Sequence, residues 1–305
     1  GTSGDFDGGS AMNSNKGFSL TQSGSGNITL ATTNTISAEA TITLAGGHLT
    51  VASTSGALTV GGLLTINASD AASASIGHNY ITASGLSVTM GSSGTFSADE
   101  IISTGASGAG DVTFTLGAGS SDINIRDMSA AGSITFNLGS NSGDLVIASA
   151  LTTDTGDVII NGAGAKADID FTSITGSGVS ITLGESTDGA ATNAFSGSVI
   201  NAVNFTLNAA EFKDNLELNV LSASGVTMTM GENQIDYDGS AIITETLNFN
   251  ALSSGSNFSA TVTLVDVGQS GWQILMGEDN KESSFQQLQV SGGGTFTGTK
   301  GVDDI

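Results

Sequence analysis

Residues Asp168–Gly184 read D-I-D-F-T-S-I-T-G-S-G-V-S-I-T-L-G. They hold two short runs with apolar residues at alternate positions. Ile169, Phe171 and Ile174 form the first, Val179, Ile181 and Leu183 the second, and a Gly/Ser/Thr turn parts them. Alternation of this kind marks a half-buried strand with its apolar side inward and its Ser/Thr/Asp side outward. Two such strands bury too little to stand alone. The pattern recurs along the chain.

The last apolar residue of the second run falls at Leu20, Leu44, Ile66, Met90, Leu116, Leu138, Ile160, Leu183, Leu207 and Met230, at nearly even steps. The first run recurs as apolar-x-apolar-x-x-apolar at Phe96/Ala98/Ile101, Ile123/Ile125/Met128, Leu145/Ile147/Ala150 and Leu216/Leu218/Leu221. A period of about 23 residues with strand-type alternation is the signature of a stacked solenoid. The fold expected is all-β, a single-stranded β-solenoid (parallel β-helix) with coils of about 22–24 residues and a C-terminal cap. Some twelve coils at about 4.8 Å each make a rod on the order of 55–60 Å long, with faces rather than a cleft.

Composition supports a solenoid over an array of sandwich domains. The 305 residues include 44 Gly, no Pro, no Cys, one Trp and two Tyr. Sandwiches spend aromatics on each core, whereas narrow coils suit β-branched residues inside and Gly, Ser, Asn and Asp at corners. A lack of Pro fits strands whose backbone groups are all needed by neighbouring coils. The formal net charge of −23, from 29 acidic and 6 basic residues, argues against nucleic acid as a partner. No run approaches the roughly 20 apolar residues of a spanning helix, so membrane insertion is not expected. Opening on Gly with no basic-then-apolar leader, the chain reads as a mature or excised piece, or one exported by another signal.

Three segments are expected. Residues 1–17 are a Gly/Ser-rich loop or cap, residues 18–267 the solenoid, and residues 268–305 a C-terminal cap with the start of a possible further repeat region. The period loosens beyond Gly231, where the next apparent equivalent of Met230 is Leu264.

Oxygen ligands two residues apart beside Gly suit a hard cation such as Ca²⁺. Asp5 with Asp7, Asp236 with Asp238, and the adjacent Asp303 and Asp304 are the candidate ligands. For Asp5 with Asp7 a solvated acidic turn is an equally good account, while the other two pairs are the most calcium-like and each needs further ligands from its loop or a neighbour. The outward positions of the second run make a T-x-T ladder, a candidate binding face through Thr89, Thr113, Thr115, Thr135, Asn137, Thr182, Thr206, Thr227 and Thr229. Such an array resembles the ice-binding face of antifreeze solenoids, although Thr is also simply a good strand former. Arg126, the only Arg, lies in D-I-N-I-R-D and reads as a surface ion pair rather than the general base of a polysaccharide lyase. His48 and His78 have no partner at a metal-ligand spacing. An enzyme is not expected.

The ending T-G-T-K-G-V-D-D-I resembles the opening of repeats-in-toxin blocks in bacterial type I secreted proteins, and G-T-S-G-D-F-D-G-G at the start has the same character. The Ala/Ser/Thr/Gly-rich repeats between are similar to those of large surface-layer and adhesin-like proteins. The glycine-rich calcium nonapeptide itself is missing. The resemblance implies export without an N-terminal signal, a secreted or cell-surface location and calcium-assisted assembly. The function expected is a structural protein that assembles with copies of itself into a surface layer, sheath or filament. The alternative is an adhesin-like binding module whose flat Ser/Thr/Asn face grips a cell-surface glycan, a cell or ice.

Overall fold

The computed structural model describes residues 5–7, 12–30, 33–51, 56–69, 74–105, 109–162, 168–184, 195–209, 216–230, 236–244, 246–251, 257–265, 272–276, 282–284, 287–291, 294–297 and 302–304. Among these there is no helix, and the strands stack in parallel as the coils of a β-solenoid.

Each coil runs along three ladders. In the strand Ile169–Leu183, residues 169–171 belong to the first ladder, 173–175 to the second and 179–183 to the third. The ladders define three faces of the rod. One column of the first stacks Phe6, Ile28, Leu49, Ile76, Phe96, Ile123, Leu145, Ile169, Phe195, Leu216, Tyr237 and Phe258. The second stacks Leu58, Ile81, Ile101, Met128, Leu151, Ile174, Ile200, Leu221, Ile242, Val262 and Leu288. The third stacks Leu20, Ile42, Ile66, Val88, Phe114, Phe136, Ile160, Ile181, Leu207, Met228, Phe249 and Met276. Ile28 through Phe195, Leu58 through Ile242 and Ile42 through Met228 of these columns are buried, so the three converge on one continuous core.

Aromatic residues fill the middle of that core. Phe114 stacks on Phe136 of the next coil at 5.2 Å, and Phe96 meets Phe114 edge-on at 4.9 Å, both favoured ring geometries. Where a large ring stands, the next coil gives way: a Cβ on Gly197 would lie 2.1 Å from the Phe171 ring. Gly119 answers a different need. Its φ is +144° and an added Cβ would sit 1.7 Å from the Ser92 carbonyl oxygen, so only glycine lets those two backbones meet.

The repeat is less regular than expected. The coil from Ile76 to Phe96 is short and the next, from Phe96 to Ile123, is long, with the corner loops absorbing the difference. The apolar marker read from the sequence also mixes two neighbouring columns. Leu20, Ile66, Ile160 and Leu207 stack in the third column above, whereas Leu44, Met90, Leu116, Leu183 and Met230 stack two residues further on. Gln22, Ala68, Gly162 and Ala209 hold that further place in the remaining coils. A small or polar residue gives no apolar signal, so the large residue two positions earlier stands out instead.

Beyond Gly231 the pairing continues. Met230 pairs with Ala251, while Leu264 lies in the second ladder opposite Thr244. The inserted GENQIDYDGSA obscures the period without interrupting the ladders, because Asp236–Thr244 is itself a strand. Trp272–Met276 and Gly294–Thr297 extend the third ladder and Gln287–Ser291 the second. Glu282–Ser284 pairs with Val302–Asp304 in a separate two-stranded sheet.

Side chains also take over backbone pairing between coils. The buried Asn141 accepts the Ser121 N–H at Oδ1 (2.7 Å) and donates Nδ2 to the carbonyls of Ser121 (2.7 Å) and Gly143 (3.1 Å). Its amide thus stands in for a peptide of the adjoining coil, which is how a buried polar group is tolerated. Asn34, also fully buried, accepts the Met12 N–H at 3.2 Å.

Candidate functional site: a neutral face and an acidic face

The outward positions of the third ladder form two unbroken columns. One reads Ser19, Thr41, Thr65, Ser87, Thr113, Thr135, Ile159, Ser180, Thr206, Thr227, Asn248. The other reads Thr21, Thr43, Asn67, Thr89, Thr115, Asn137, Asn161, Thr182, Asn208, Thr229. All nine residues of the expected binding face stand in these two columns. Parallel in-register pairing holds them about 4.8 Å apart from coil to coil, and alternation sets the two columns about 6.7 Å apart along each strand. From Thr41 onward every one of these side chains is half-buried or exposed. None is charged, in a chain with 29 acidic and 6 basic residues. Among the described residues carboxylates reach only the rim: Glu39, Asp111 and Asp157 precede the third strand of their coils, and Asp111 accepts the Ser133 N–H at 2.8 Å.

The first face has the opposite character. Its alternate column runs Asp7, Thr29, Thr50, Gly77, Ser97, Asn124, Val146, Asp170, Ser196, Glu217, Asp238. One residue before the ladder, Asp122, Asp144 and Asp168 stand on three successive coils, and Asp5 occupies the same corner near the start. Here carboxylates cap the next coil. Asp5 Oδ1 accepts the Asn27 N–H at 2.7 Å and Asp122 Oδ1 the Asp144 N–H at 3.0 Å. Stacking like charges has a cost. Partial burial first, then Asp168, Asp122 and Asp170, push the Asp144 carboxyl above its ordinary range, against an opposing backbone hydrogen bond. Burial and then Asp168 raise Asp170 in the same way.

The cation candidates are therefore distributed. Asp5, Asp7, Asp236 and Asp238 map to this one face, but Asp7 and Asp238 stand ten rungs apart, about 48 Å. Asp303 and Asp304 lie in Val302–Asp304, level with Ser283 and Ser284. Among the described residues no three His, Cys, Asp or Glu side chains converge so as to hold a metal ion. Asp5 and Asp7 together offer two carboxylates, one of whose oxygens is already engaged, while Ca²⁺ takes 6–8 oxygen ligands. A cation there would draw its remaining ligands from water or from another molecule. Alternation in the sequence already sets Asp122 and Asp168 on one outward face about two coils apart, whereas Asp144 between them is missed. The recurrence of all three, ahead of an apolar run each time, was the available signal.

Arg126 sits at the corner between the first and second faces. Its Nη1 donates to Asp127 Oδ2 at 2.5 Å and its Nε lies 3.9 Å from Asp99, with both acidic partners on the rod surface. An open groove of about 340 Å³ beside it is lined by Asn79, Ser97, Asp99, Asn124 and Arg126. No protein-family model matches this chain, and neither a curated protein nor a solved structure is significantly similar to it.

Proposed function

We propose that this chain is a secreted or cell-surface building block that assembles with copies of itself into a surface layer, sheath or filament. The observation that carries this reading is the separation of a neutral, flat Ser/Thr/Asn face from an acidic one on a rod of stacked coils. Rods with faces of fixed and different character pack side by side in defined ways. Ca²⁺ assists by bridging carboxylates of the acidic face between copies, since among the described residues no three acidic side chains of one copy converge. The likeness of the terminal motifs to type I secreted proteins supports an extracellular setting, where calcium is plentiful.

The test is electron microscopy of the purified protein with Ca²⁺ and then with a chelator. Ordered sheets or filaments that loosen on chelation are expected. Single rods in both conditions would sink the building-block reading. They would favour the second reading, a binding module for glycan, cell or ice, which draws on the regular hydroxyl and amide array of the third face.

A further inference from the structure

We infer that the neutral third face is where two copies of this chain meet, face to face about a two-fold axis. The inference rests on the building-block reading and adds to it which surface the copies share. Three observations lead there.

The first is charge. Two chains of net charge −23 repel one another, and a Debye length of about 8 Å at physiological ionic strength leaves that repulsion in force at contact. Bringing two first faces together would oppose Asp122, Asp144, Asp168 and Asp170 to their own copies. The second face has one carboxylate-free column, from Thr59 through Ser129 to Ser222, but Glu100 and Asp127 stand in the column beside it. Among the described residues only the third face presents two such columns, over ten coils. Its carboxylates are at the rim, where water still reaches them in a packed pair.

The second is shape and chemistry. The columns hold short Ser, Thr and Asn side chains, so no long side chain stands proud of the sheet. Such a surface suits sheet-on-sheet packing at about 10 Å, with hydroxyls and amides interdigitating as in Asn and Thr ladders between paired sheets. Ile159, 36% exposed and flanked in its column by Thr135 and Ser180, is the one apolar side chain in these columns through Asn248. Contact with a second copy covers it.

The third is area. From Ser19 to Asn248 the face is about 48 Å tall, and five strand residues make it about 15 Å wide. About 700 Å² per partner follows, about 1,400 Å² in total, within the 1,200–2,000 Å² of stable specific interfaces. A two-fold arrangement uses the same patch on both molecules and closes on itself, leaving both acidic faces outward and free to take Ca²⁺.

The test is sedimentation velocity on the full chain in chelator, where calcium bridging is removed. Wild type is expected to be a dimer at micromolar concentration. The triple variant Thr115→Glu/Ile159→Glu/Thr206→Glu is expected to dissociate at least tenfold more readily, while Ser196→Glu on the acidic face leaves the dimer unchanged. Circular dichroism checks that each variant keeps its strand signal. If the triple variant loses it, Thr206→Glu alone is read in the same way. A monomer in chelator at every concentration, or a dimer indifferent to glutamates on the third face, overturns the inference. Calcium-dependent sheets that form regardless of those glutamates also overturn it, yet leave the building-block reading standing. Wild-type protein that stays monomeric with and without Ca²⁺ defeats both.

Discussion

At the residue scale, stability at the corners depends on side chains that imitate backbone. Asn141 makes three hydrogen bonds from a fully buried position, two of them to the peptide groups of Ser121. Asn141→Ala leaves the Ser121 N–H and C=O without those partners in the interior. A loss of about 1–3 kcal/mol is expected, measured by chemical denaturation. Asp144 gives a prediction with a definite sign. Its carboxyl titrates above its ordinary value in the fold, so the folded state holds the proton more tightly than the unfolded chain does. Between the ordinary value near 3.8 and the raised one, stability falls as pH rises, and above that window the penalty is constant. Asn mimics the protonated form. Asp144→Asn is therefore expected to raise the melting temperature at pH 7, through a stabilisation within about 0.5 kcal/mol because the side chain is exposed. The gain should disappear in melts below the ordinary value of 3.8. A gain that persisted there would mean the charge is not its cause.

At the scale of elements, the unit is the rung, one strand segment on each ladder stacked on its neighbours. The Phe96, Phe114 and Phe136 cluster joins the first and third ladders across the core, so cutting it affects more than one face. Phe114→Ala removes the central ring and is expected to cost about 3–5 kcal/mol. In a solenoid that loss is felt chiefly by nearest neighbours. Amide hydrogen exchange should show faster opening of 86–90, 112–116 and 134–137, with little change at 205–209. Uniform acceleration along the chain would show instead that the rod opens as one cooperative block.

At the scale of the whole molecule, a quasi-one-dimensional stack should tolerate the loss of a coil that leaves all three ladders in register. Val158 pairs with Val179, so deleting 158–178 removes one whole coil and joins Asp157 to Val179. Leu145 then stacks on Phe195, Leu151 on Ile200 and Ile134 on Val179, the same kinds of residue as before. A folded rod shorter by one coil, about 4.8 Å, is expected from small-angle scattering. Deleting 169–178 alone keeps the third strand and removes the first two, and should unfold the region around it. If both deletions behave alike, the coils are not independent units.

Much of this was legible in the chain. Alternation in stretches such as 169–183 specified strands, and their recurrence at a nearly constant step specified a solenoid, because one repeat of this length cannot bury its apolar face alone and stacked neighbours bury it in a continuous core. The T-x-T pattern even marked the third face, since outward residues on a strand are set by period two alone. Other features belong to the tertiary structure. Which coil residue stacks on which cannot be read at Ala68, Gly162 and Ala209, because a small residue in a column satisfies the stacking without leaving an apolar signal. The role of Asn141 required knowing that its corner lies against Ser121 of the preceding coil. The division into a neutral and an acidic face arises only when corner loops of unequal length bring Asp122, Asp144 and Asp168 level with one another. Composition determines how much charge the molecule carries, and the registers of the coils determine where it goes.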